Sequence, residues 1–365
     1  MSRQLKIIIS GGGTGGHIFP AIAIARALEL MRPGTEILFV GANERMEMEK
    51  VPAAGYKIQG LDIAGISRSN MLRNLSLPMK VMNSVSKAKE IITQFKPDAI
   101  VGVGGYASGP TLWAGIRKHV PTLVQEQNSY PGVTNKILSR YVKKICVAYP
   151  GMEKYFPKEK IIVTGNPVRQ DITELYSKRK EAAEYFGLNG SGFTVLVIGG
   201  SLGARTINES IAASLDLFAR SNIRLVWQTG KQYYAQAQEL QKKYSNIKVY
   251  DFISKMDYAY AVADAVVSRA GAISLSELCI TGLPCILVPS PNVSEDHQTK
   301  NAMVLVNHNA AMMVKDISAI SELGNAVIGL SVDNGLRESL SKNISTLAIR
   351  DSAARIANEV IKLTA

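Results

Sequence analysis

Several features are scarce in this sequence, and each shortage excludes a class of protein. The three cysteines, Cys146, Cys279 and Cys285, are odd in number and lack metal-ligand spacing, which argues against a disulfide framework or a zinc site. No apolar run approaches the roughly 18–20 residues that cross a bilayer. The stretch before the first glycines is too short for a signal peptide. We therefore expect a soluble, reduced, cytosolic chain.

The charge is distributed unequally along the chain. Residues 1–164 contain 22 lysines and arginines against 11 acidic residues, whereas residues 165–365 contain 20 against 19. This excess indicates an anionic partner (nucleic acid, an anionic membrane face or a phosphorylated substrate), unless it serves solubility alone. Because the sequence lacks aromatic platforms and a zinc or RNP signature, we expect no nucleic acid among its partners.

Short apolar runs typical of buried strands alternate with helix-forming segments in both halves of the 365 residues. Each half begins with a strand, a glycine turn and a helix. This pattern predicts an α/β fold of two Rossmann-like, doubly wound parallel-sheet domains with an interdomain cleft. The predicted strands are 5–10, 36–40, 98–103, 121–125, 144–148, 193–198, 224–228, 247–252, 265–268 and 285–289.

Two segments bear on how the domains are joined. The join is expected near residues 164–169, where Pro167 blocks helix continuation. The final stretch, from about 344 to 363, has apolar residues at helical spacing and could pack on either domain.

A glycine cluster, residues 11–16, follows the first predicted strand and precedes a helix. It satisfies G-x-G-x-x-G, in which glycines allow a phosphate to approach backbone N–H groups. A dinucleotide site also needs an acidic residue at the end of the second strand. That strand ends at Val40 and the nearest acid, Glu44, comes late. A dehydrogenase is therefore the weaker alternative.

His17 comes directly after this cluster, at the start of the helix. The partial positive charge of a helix N-terminus disfavours imidazolium, which keeps a histidine neutral and available as a base. The alternative is a histidine that caps the helix or bonds to a loop carbonyl.

Other glycine-rich or polar segments also follow predicted strands. A second glycine loop in the first half suggests anion contacts from two sides, as for a diphosphate. Glu277 falls about one turn into a helix, where its carboxylate could accept both ribose hydroxyls. Ordinary turn chemistry, a helix-dipole contact and a solvated loop are the alternative explanations. The segments are 103–110, 126–128, 199–205, 268–277 and 295–301.

Seven motifs occur in the order found in the MurG family of bacterial glycosyltransferases, and the chain resembles that family from residue 7 to about 302. The pairing of GGTGGH with the serine-rich segment is specific. The motifs are GGGTGGHIFPA, GVGGYASGP, EQN, GNPVR, GGSLGAR, SRAGAISLSE and HQTKNA.

The resemblance implies an inverting transferase that moves N-acetylglucosamine (GlcNAc) from UDP-GlcNAc to lipid I, undecaprenyl-pyrophosphoryl-N-acetylmuramoyl-pentapeptide. The products are lipid II and UDP, in peptidoglycan synthesis. It also implies a GT-B fold with an acceptor domain of residues 1–164 plus a C-terminal helix at about 345–365, and a donor domain of residues 165–344. The protein would lie peripherally on the cytoplasmic face of the inner membrane, where other cell-wall synthesis proteins are potential partners.

The resemblance further implies individual roles. Arg169 and Ser201 would neutralise the diphosphate, and Ile253 would present its backbone to uracil. The loop at 290–296 departs from the family, so His297 could replace Gln298 as a sugar contact. The implied UDP-GlcNAc contacts are Thr14, Gly15, Gly16, Asn128, Arg169, Ser201, Ile253, Ala272, Ile273, Ser274, Leu275, Ser276, Glu277 and Gln298. The implied acceptor contacts are Gly12, Gly13, Gly104, Gly105, Tyr106 and Glu126.

For the mechanism we expect His17 to take the proton from the C4 hydroxyl of the muramoyl sugar. Arg169, Ser201 and helix N-termini would stabilise the leaving UDP. No D-x-D pair occurs in the chain, so we expect neither an obligatory metal nor another cofactor. Another GT-B glycolipid synthase that uses a UDP-sugar remains the alternative function.

Residues 65–96 contain six basic residues and one acidic residue among apolar ones. Basic side chains that flank exposed apolar ones suit an anionic membrane surface. The alternative is that the apolar residues belong to the core and the basic ones to a solvated face. The apolar residues are Met71, Leu72, Leu75, Leu77, Met79, Val81 and Met82, and Lys136, Arg140, Lys143 and Lys144 would extend the same face.

Overall fold

The computed structural model describes residues 4–63, 77–169, 172, 175–188, 191–200 and 203–364. These residues form two units. The first contains Met1–Val168 and Asp351–Ala365, and the second contains Arg169–Arg350. Each unit has one parallel sheet with helices packed against it, which confirms the predicted α/β class of two doubly wound domains.

The first unit contains a seven-stranded parallel sheet in the order β3-β2-β1-β4-β5-β6-β7. The side chains of β1 alternate between two cores: Ile7 and Ile9 pack on one face, and Ile8 packs on the other. Both faces are therefore covered, which explains the nearly continuous apolar strands. The strands are β1 (Lys6–Ser10), β2 (Glu36–Ala42), β3 (Lys57–Leu61), β4 (Ala99–Gly102), β5 (Thr122–Glu126), β6 (Lys144–Val147) and β7 (Ile161–Val163). The helices are α1 (Gly15–Met31), α2 (Glu47–Ala53), α3 (Leu77–Phe95), α4 (Ser108–Arg117) and α5 (Val133–Leu138).

The second unit repeats this design with a six-stranded sheet in the order β10-β9-β8-β11-β12-β13. The indole of Trp227 is fully buried in its core and donates to Asn208 Oδ1 at 3.0 Å. The strands are β8 (Phe193–Ile198), β9 (Ile223–Gln228), β10 (Ile247–Tyr250), β11 (Ala265–Ser268), β12 (Cys285–Leu287) and β13 (Met312–Met313). The helices are α6 (Arg179–Tyr185), α7 (Arg205–Ala213), α8 (Leu215–Arg220), α9 (Lys231–Lys243), α10 (Met256–Val262), α11 (Ala272–Thr281), α12 (His297–Asn307), α13 (Ala319–Val332) and α14 (Asn334–Thr346).

Each sheet has a point where the strand order reverses. In the first unit it lies between β1 and β4, and in the second between β8 and β11. Ligands of open α/β sheets bind at the carboxyl ends of the strands at such points. The glycine loops after β1, β4 and β8 and the serine-rich segment after β11 all begin there.

The last helix, α15 (Ser352–Lys362), belongs to the first unit. Ile356, Ala357 and Val360 are buried in the same core as Ile18 of α1. The expected helix at about 345–365 therefore starts later, because residues up to Thr346 continue α14.

The boundaries of the two units also differ from the expected ones. The first unit extends to Val168 instead of residue 164, because the side chain of Asn166 bonds to Gln125 and to the backbone of Gln127. At the other end, the second unit keeps residues up to Arg350, because α14 packs on α11 and Ser341 donates to the carbonyl of Gly282.

The basic and apolar segment at 65–96 is described from residue 77 onward. Met71, Leu72 and Leu75 lie outside the described residues, as does the side chain of Leu77. At the start of α3, Met79 is 69% exposed, Met82 is 72% exposed, and Val81 is also exposed. These three side chains are therefore not part of the core. Among the described residues, no helix is both long and apolar enough to cross a membrane.

Candidate active site

The loops after β1 and β4 touch each other in the first unit. The N–H of Gly12 donates to the carbonyl of Gly104 at 3.2 Å. Gly104 and Gly105 have φ angles of +95° and +87°, which favour glycine, and a Cβ at 105 would overlap the backbone of Gly12. The two loops can approach this closely because neither has a side chain at the contact.

His17 lies in the first turn of α1 beside this contact and is half-buried. Its Nδ1 lies 3.1 Å from the carbonyl oxygen of Gly12 and 3.3 Å from Oγ1 of Thr14. Because a carbonyl oxygen can only accept, this contact favours the neutral tautomer with its proton on Nδ1 and its lone pair on Nε2. A Cβ on Gly104 would lie 2.7 Å from Nε2, so the missing side chain leaves space beside the basic nitrogen.

Two other predicted contacts belong to the same pair of loops. Thr14 is the N-cap of α1 in an extended conformation, and the helix begins with Gly15 and Gly16. Tyr106, in the loop after β4, is half-exposed, and the Arg45 guanidinium lies 5.9 Å from the centre of its ring.

Glu126, which the resemblance places among the acceptor contacts, directs its carboxylate inward. Oε1 accepts from the backbone N–H and side-chain amide of Asn128, and Oε2 accepts from the N–H of Gly132 and the amide of Asn135. Burial raises the pKa of this carboxyl, and the four hydrogen bonds oppose the shift. Its contacts position Asn128 and the loop that follows β5.

Arg169 and Glu277 form a salt bridge in the second unit. Nε of Arg169 donates to Oε1 of Glu277 at 3.0 Å, and the hydroxyl of Tyr260 donates to Oε2 at 2.9 Å. Tyr260 is fully buried, and both burial and the neighbouring carboxylate hold the pKa of its hydroxyl well above its usual value. Two groups from outside α11 thus fix the carboxylate predicted to hold ribose.

Gln228 connects two segments with predicted donor contacts. Its Oε1 accepts from the N–H of Ile253 at 2.8 Å, and its Nε2 donates to the carbonyl of Gly200 at 3.2 Å. One buried amide at the end of β9 thereby holds both the glycine loop after β8 and the backbone expected at uracil. Ser201 lies outside the described residues.

The remaining predicted donor residues lie at two helix starts. Ala272, Ile273 and Ser274 form the beginning of α11, whose first-turn N–H groups point out of the helix N-terminus. The Leu275 side chain is fully buried, and Ser276 Oγ donates to the carbonyl of Ala272.

His297 and Gln298 both lie in the first turn of α12. The side-chain oxygen of Gln298 accepts from the N–H of Ser290 at 2.9 Å. This bond fixes the Gln298 amide at the start of the loop where the sequence departs from the family.

Three residues that hold these segments belong to none of the predicted motifs: Glu47, Gln228 and Tyr260. Glu47 is buried, and its Oε2 accepts from the N–H of Gly13 in the first glycine loop at 2.7 Å. The position of Gln228 at a strand end could have indicated it. Glu47 and Tyr260 lie within helices and have no comparable signal.

In the part of the chain that the structure describes, no three His, Cys, Asp or Glu residues are grouped as around a metal ion.

Known proteins resemble the chain along its whole length. Residues 7–147 match the glycosyltransferase family 28 N-terminal domain, and residues 194–356 match the family 28 C-terminal domain. The UDP-N-acetylglucosamine–N-acetylmuramyl-(pentapeptide) pyrophosphoryl-undecaprenol N-acetylglucosamine transferase of Parabacteroides distasonis is 55% identical over 363 residues, which cover 99% of each chain. The protein of the same name from Bacteroides thetaiotaomicron is 53% identical and covers 100% of this chain and 99% of its own. Acinetobacter baumannii MurG, in its crystal structure, has a TM-score of 0.79 at 28% identity, with coverage of 99% and 100%.

The two parallel-sheet units and the match to the MurG crystal structure give the chain the GT-B fold, and the two family 28 domain matches make it a glycosyltransferase. Within that class, the chain belongs to glycosyltransferase family 28 and to its MurG family. The resemblance stated from the sequence motifs is confirmed.

The contacts of Glu277 generate a prediction for nucleotide binding. Replacing Tyr260 by phenylalanine removes one of the bonds that orient the Glu277 carboxylate. UDP should then bind roughly fivefold more weakly, which corresponds to about 1 kcal/mol of lost orientation. Isothermal titration with UDP measures this change. Tyr258→Phe is the matched control, because Tyr258 lies on the same helix and its hydroxyl bonds to Glu181. Equal affinities of the Tyr260 variant and the unmodified protein would contradict a role of Tyr260 in nucleotide binding.

Proposed function

We propose that the chain transfers GlcNAc from UDP-GlcNAc to the C4 hydroxyl of the muramoyl sugar in lipid I, giving lipid II and UDP. The identity of more than half over the full length to transferases with that name supports this substrate pair. The observation on which the chemistry rests is His17, whose Nδ1 is bonded to the Gly12 carbonyl while Nε2 lies beside the space left by Gly104.

The reaction proceeds as a single displacement. Nε2 of His17 accepts the proton of the C4 hydroxyl while its oxygen forms a bond to the anomeric carbon of GlcNAc. The bond between that carbon and the β-phosphate oxygen breaks, and UDP leaves with the electron pair. Attack from the opposite side inverts the α donor to a β product.

Positive groups of the second unit stabilise the leaving diphosphate. The guanidinium of Arg169 is held by Glu277, and the N-terminus of α11 lies in the same segment as the predicted ribose contact. An arginine and a helix N-terminus stabilise a departing phosphate without a metal ion. We therefore propose that no metal is obligatory, which the lack of a D-x-D pair supports.

The substrate pair is tested directly by incubation with radiolabelled UDP-GlcNAc and a lipid I analogue, with and without EDTA. We expect a labelled disaccharide product with a β1–4 bond and equal rates in both conditions. Loss of the product in EDTA would contradict metal independence alone. Transfer to another glycolipid but not to lipid I would favour a related synthase of the same fold.

The role of His17 is tested by replacing it with alanine. Because a general base typically contributes about 10²–10⁴-fold, kcat should fall by that factor. UDP should bind as before, since the predicted uridine and diphosphate contacts lie in the second unit. His308→Ala serves as the control, because His308 lies at the far end of α12 and contacts the Val304 carbonyl. Unchanged turnover of the His17 variant would remove it from the mechanism.

We also propose that the first unit associates peripherally with the anionic cytoplasmic face of the inner membrane, where lipid I is held. Helices α3, α4 and α5 pack side by side on one face of the sheet. Met79 and Met82 of α3, with Val133 and Ile137 of α5, expose apolar side chains on this layer. The excess of basic residues in the first half adds attraction to anionic lipids.

Co-sedimentation with vesicles tests this surface. The protein should pellet with phosphatidylglycerol vesicles more than with phosphatidylcholine vesicles, and added salt should reduce the pelleted fraction because it screens charge. The double variant Met79→Ser, Met82→Ser should pellet less because it buries less apolar area. Ile317→Ser is the control, since Ile317 is 94% exposed but lies in the second unit. Pelleting that is independent of lipid charge, salt and these methionines would contradict the proposed surface.

A further inference from the structure

Glu47 is a carboxylate buried beneath the glycine loop that precedes His17. It lies in the first turn of α2 and is 1% exposed. Oε2 accepts from the N–H of Gly13 at 2.7 Å, and Oε1 accepts from the N–H of Ala42 at 3.0 Å. In the described part of the chain, no lysine or arginine forms a salt bridge with it. Hydrogen bonds from two peptide N–H groups therefore stabilise this buried carboxylate directly.

The loop is shaped to hold this side chain. A Cβ on Gly12 would overlap the carboxylate, and a Cβ on Gly41 would lie 2.6 Å from Cγ of Glu47. The absence of side chains at both positions creates the space that the carboxylate occupies. The glycine-rich sequence thus serves an internal acidic group here, where the sequence pattern alone suggested a phosphate.

The N–H of Gly13 and the carbonyl of Gly12 belong to the same peptide group. The carboxylate of Glu47 bonds to its N–H end, and Nδ1 of His17 lies 3.1 Å from its carbonyl oxygen. A carboxylate that accepts from an amide N–H polarises that amide, so its carbonyl becomes a stronger acceptor. The three groups form a continuous series of carboxylate, peptide and imidazole.

We infer that Glu47 is a positioning residue for the transfer reaction, which acts on His17 through the Gly12–Gly13 peptide. The polarised carbonyl keeps the proton on Nδ1 and so holds Nε2 in its basic form. When Nε2 takes the substrate proton, the same series stabilises the positive charge that forms on the ring. Aspartate has this role by direct contact in serine hydrolases, whereas here a peptide group transmits it.

This inference rests on the proposed role of His17 as the base, and the two can fail separately. If His17→Ala retains full turnover, the proposed base is wrong. If His17→Ala loses activity and Glu47→Gln does not, His17 is still supported as the base, and the proposed action of Glu47 through the Gly12–Gly13 peptide is wrong.

The test uses Glu47→Gln, which keeps the shape of the side chain and removes its charge. We expect kcat to fall about tenfold, the lower end of the loss seen when the partner of the second nitrogen of a metal-bound histidine is removed. The affinity for UDP should stay within about twofold, because the predicted uridine and diphosphate contacts lie in the second unit. A kcat within about twofold of the unmodified enzyme would overturn the inference.

A double variant separates positioning from general stability. In the His17→Gln background, Glu47→Gln should cause no further loss of kcat, because there is no imidazole left to polarise. An equal loss in both backgrounds would indicate a purely structural role and overturn the inference. Asp98→Asn is the matched control: this carboxylate accepts the N–H of Lys6 at the opposite end of β1, and its loss should not change kcat.

A second measurement applies if Glu47→Gln does not fold. Two-bond ¹H–¹⁵N spectra of the unmodified protein labelled with ¹⁵N-histidine distinguish the two neutral tautomers, and His17→Gln identifies the His17 signals among the four histidines. The proposed action of Glu47 through the peptide requires that neutral His17 is protonated on Nδ1. Protonation of His17 on Nε2 would overturn the inference.

Discussion

The close approach of the loops after β1 and β4 is the constraint on which the candidate site depends. Parallel strands bring their carboxyl ends to one edge, and the bond from the Gly12 N–H to the Gly104 carbonyl joins the two loops there. A side chain at Gly12, Gly104 or Gly105 would displace Glu47, the ring of His17 or the neighbouring backbone. The loop that holds His17 can therefore adopt this conformation only with glycine at these three positions.

Buried polar side chains hold the loops of both units in place. In the first unit, Glu47 and Glu126 accept hydrogen bonds from loop N–H and amide groups. In the second unit, Gln228 and Tyr260 hold the segments that follow β8, β10 and β11. Buried polar groups must be satisfied, and once satisfied they fix one conformation. This rigidity orients functional groups before substrate arrives.

The charge pattern and the fold together explain why one unit meets lipid and the other nucleotide in the proposed function. The first unit contains most of the excess positive charge and exposes methionines on α3. In the second, the salt bridge to Glu277, the predicted ribose contact, holds the guanidinium of Arg169 in place. The proposed diphosphate contact is thus one fixed cation and not a broad basic surface.

Sequence patterns predicted ten of the described strands, including β10 at a sheet edge, and missed three other edge strands. β3, β7 and β13 each lie at the edge of a sheet, and two of them have three residues or fewer. An edge strand has only one neighbour and less buried surface, so its apolar pattern is weak. The helical periodicity of α15 left its position open, because its apolar face fits either unit until the core around α1 is known, and only the family resemblance placed it with the first domain.

The sequence by itself determined the two-domain α/β class, the glycine loops at strand ends and the presence of His17 at a helix start, because these depend on local periodicity and on glycine's conformational freedom. Tertiary structure alone decided which distant side chains form hydrogen bonds to these loops and site residues. Glu47 lies 34 residues from Gly13, and Tyr260 lies 17 residues from Glu277. Such contacts depend on how helices pack over a sheet, and no local pattern in the chain encodes that packing.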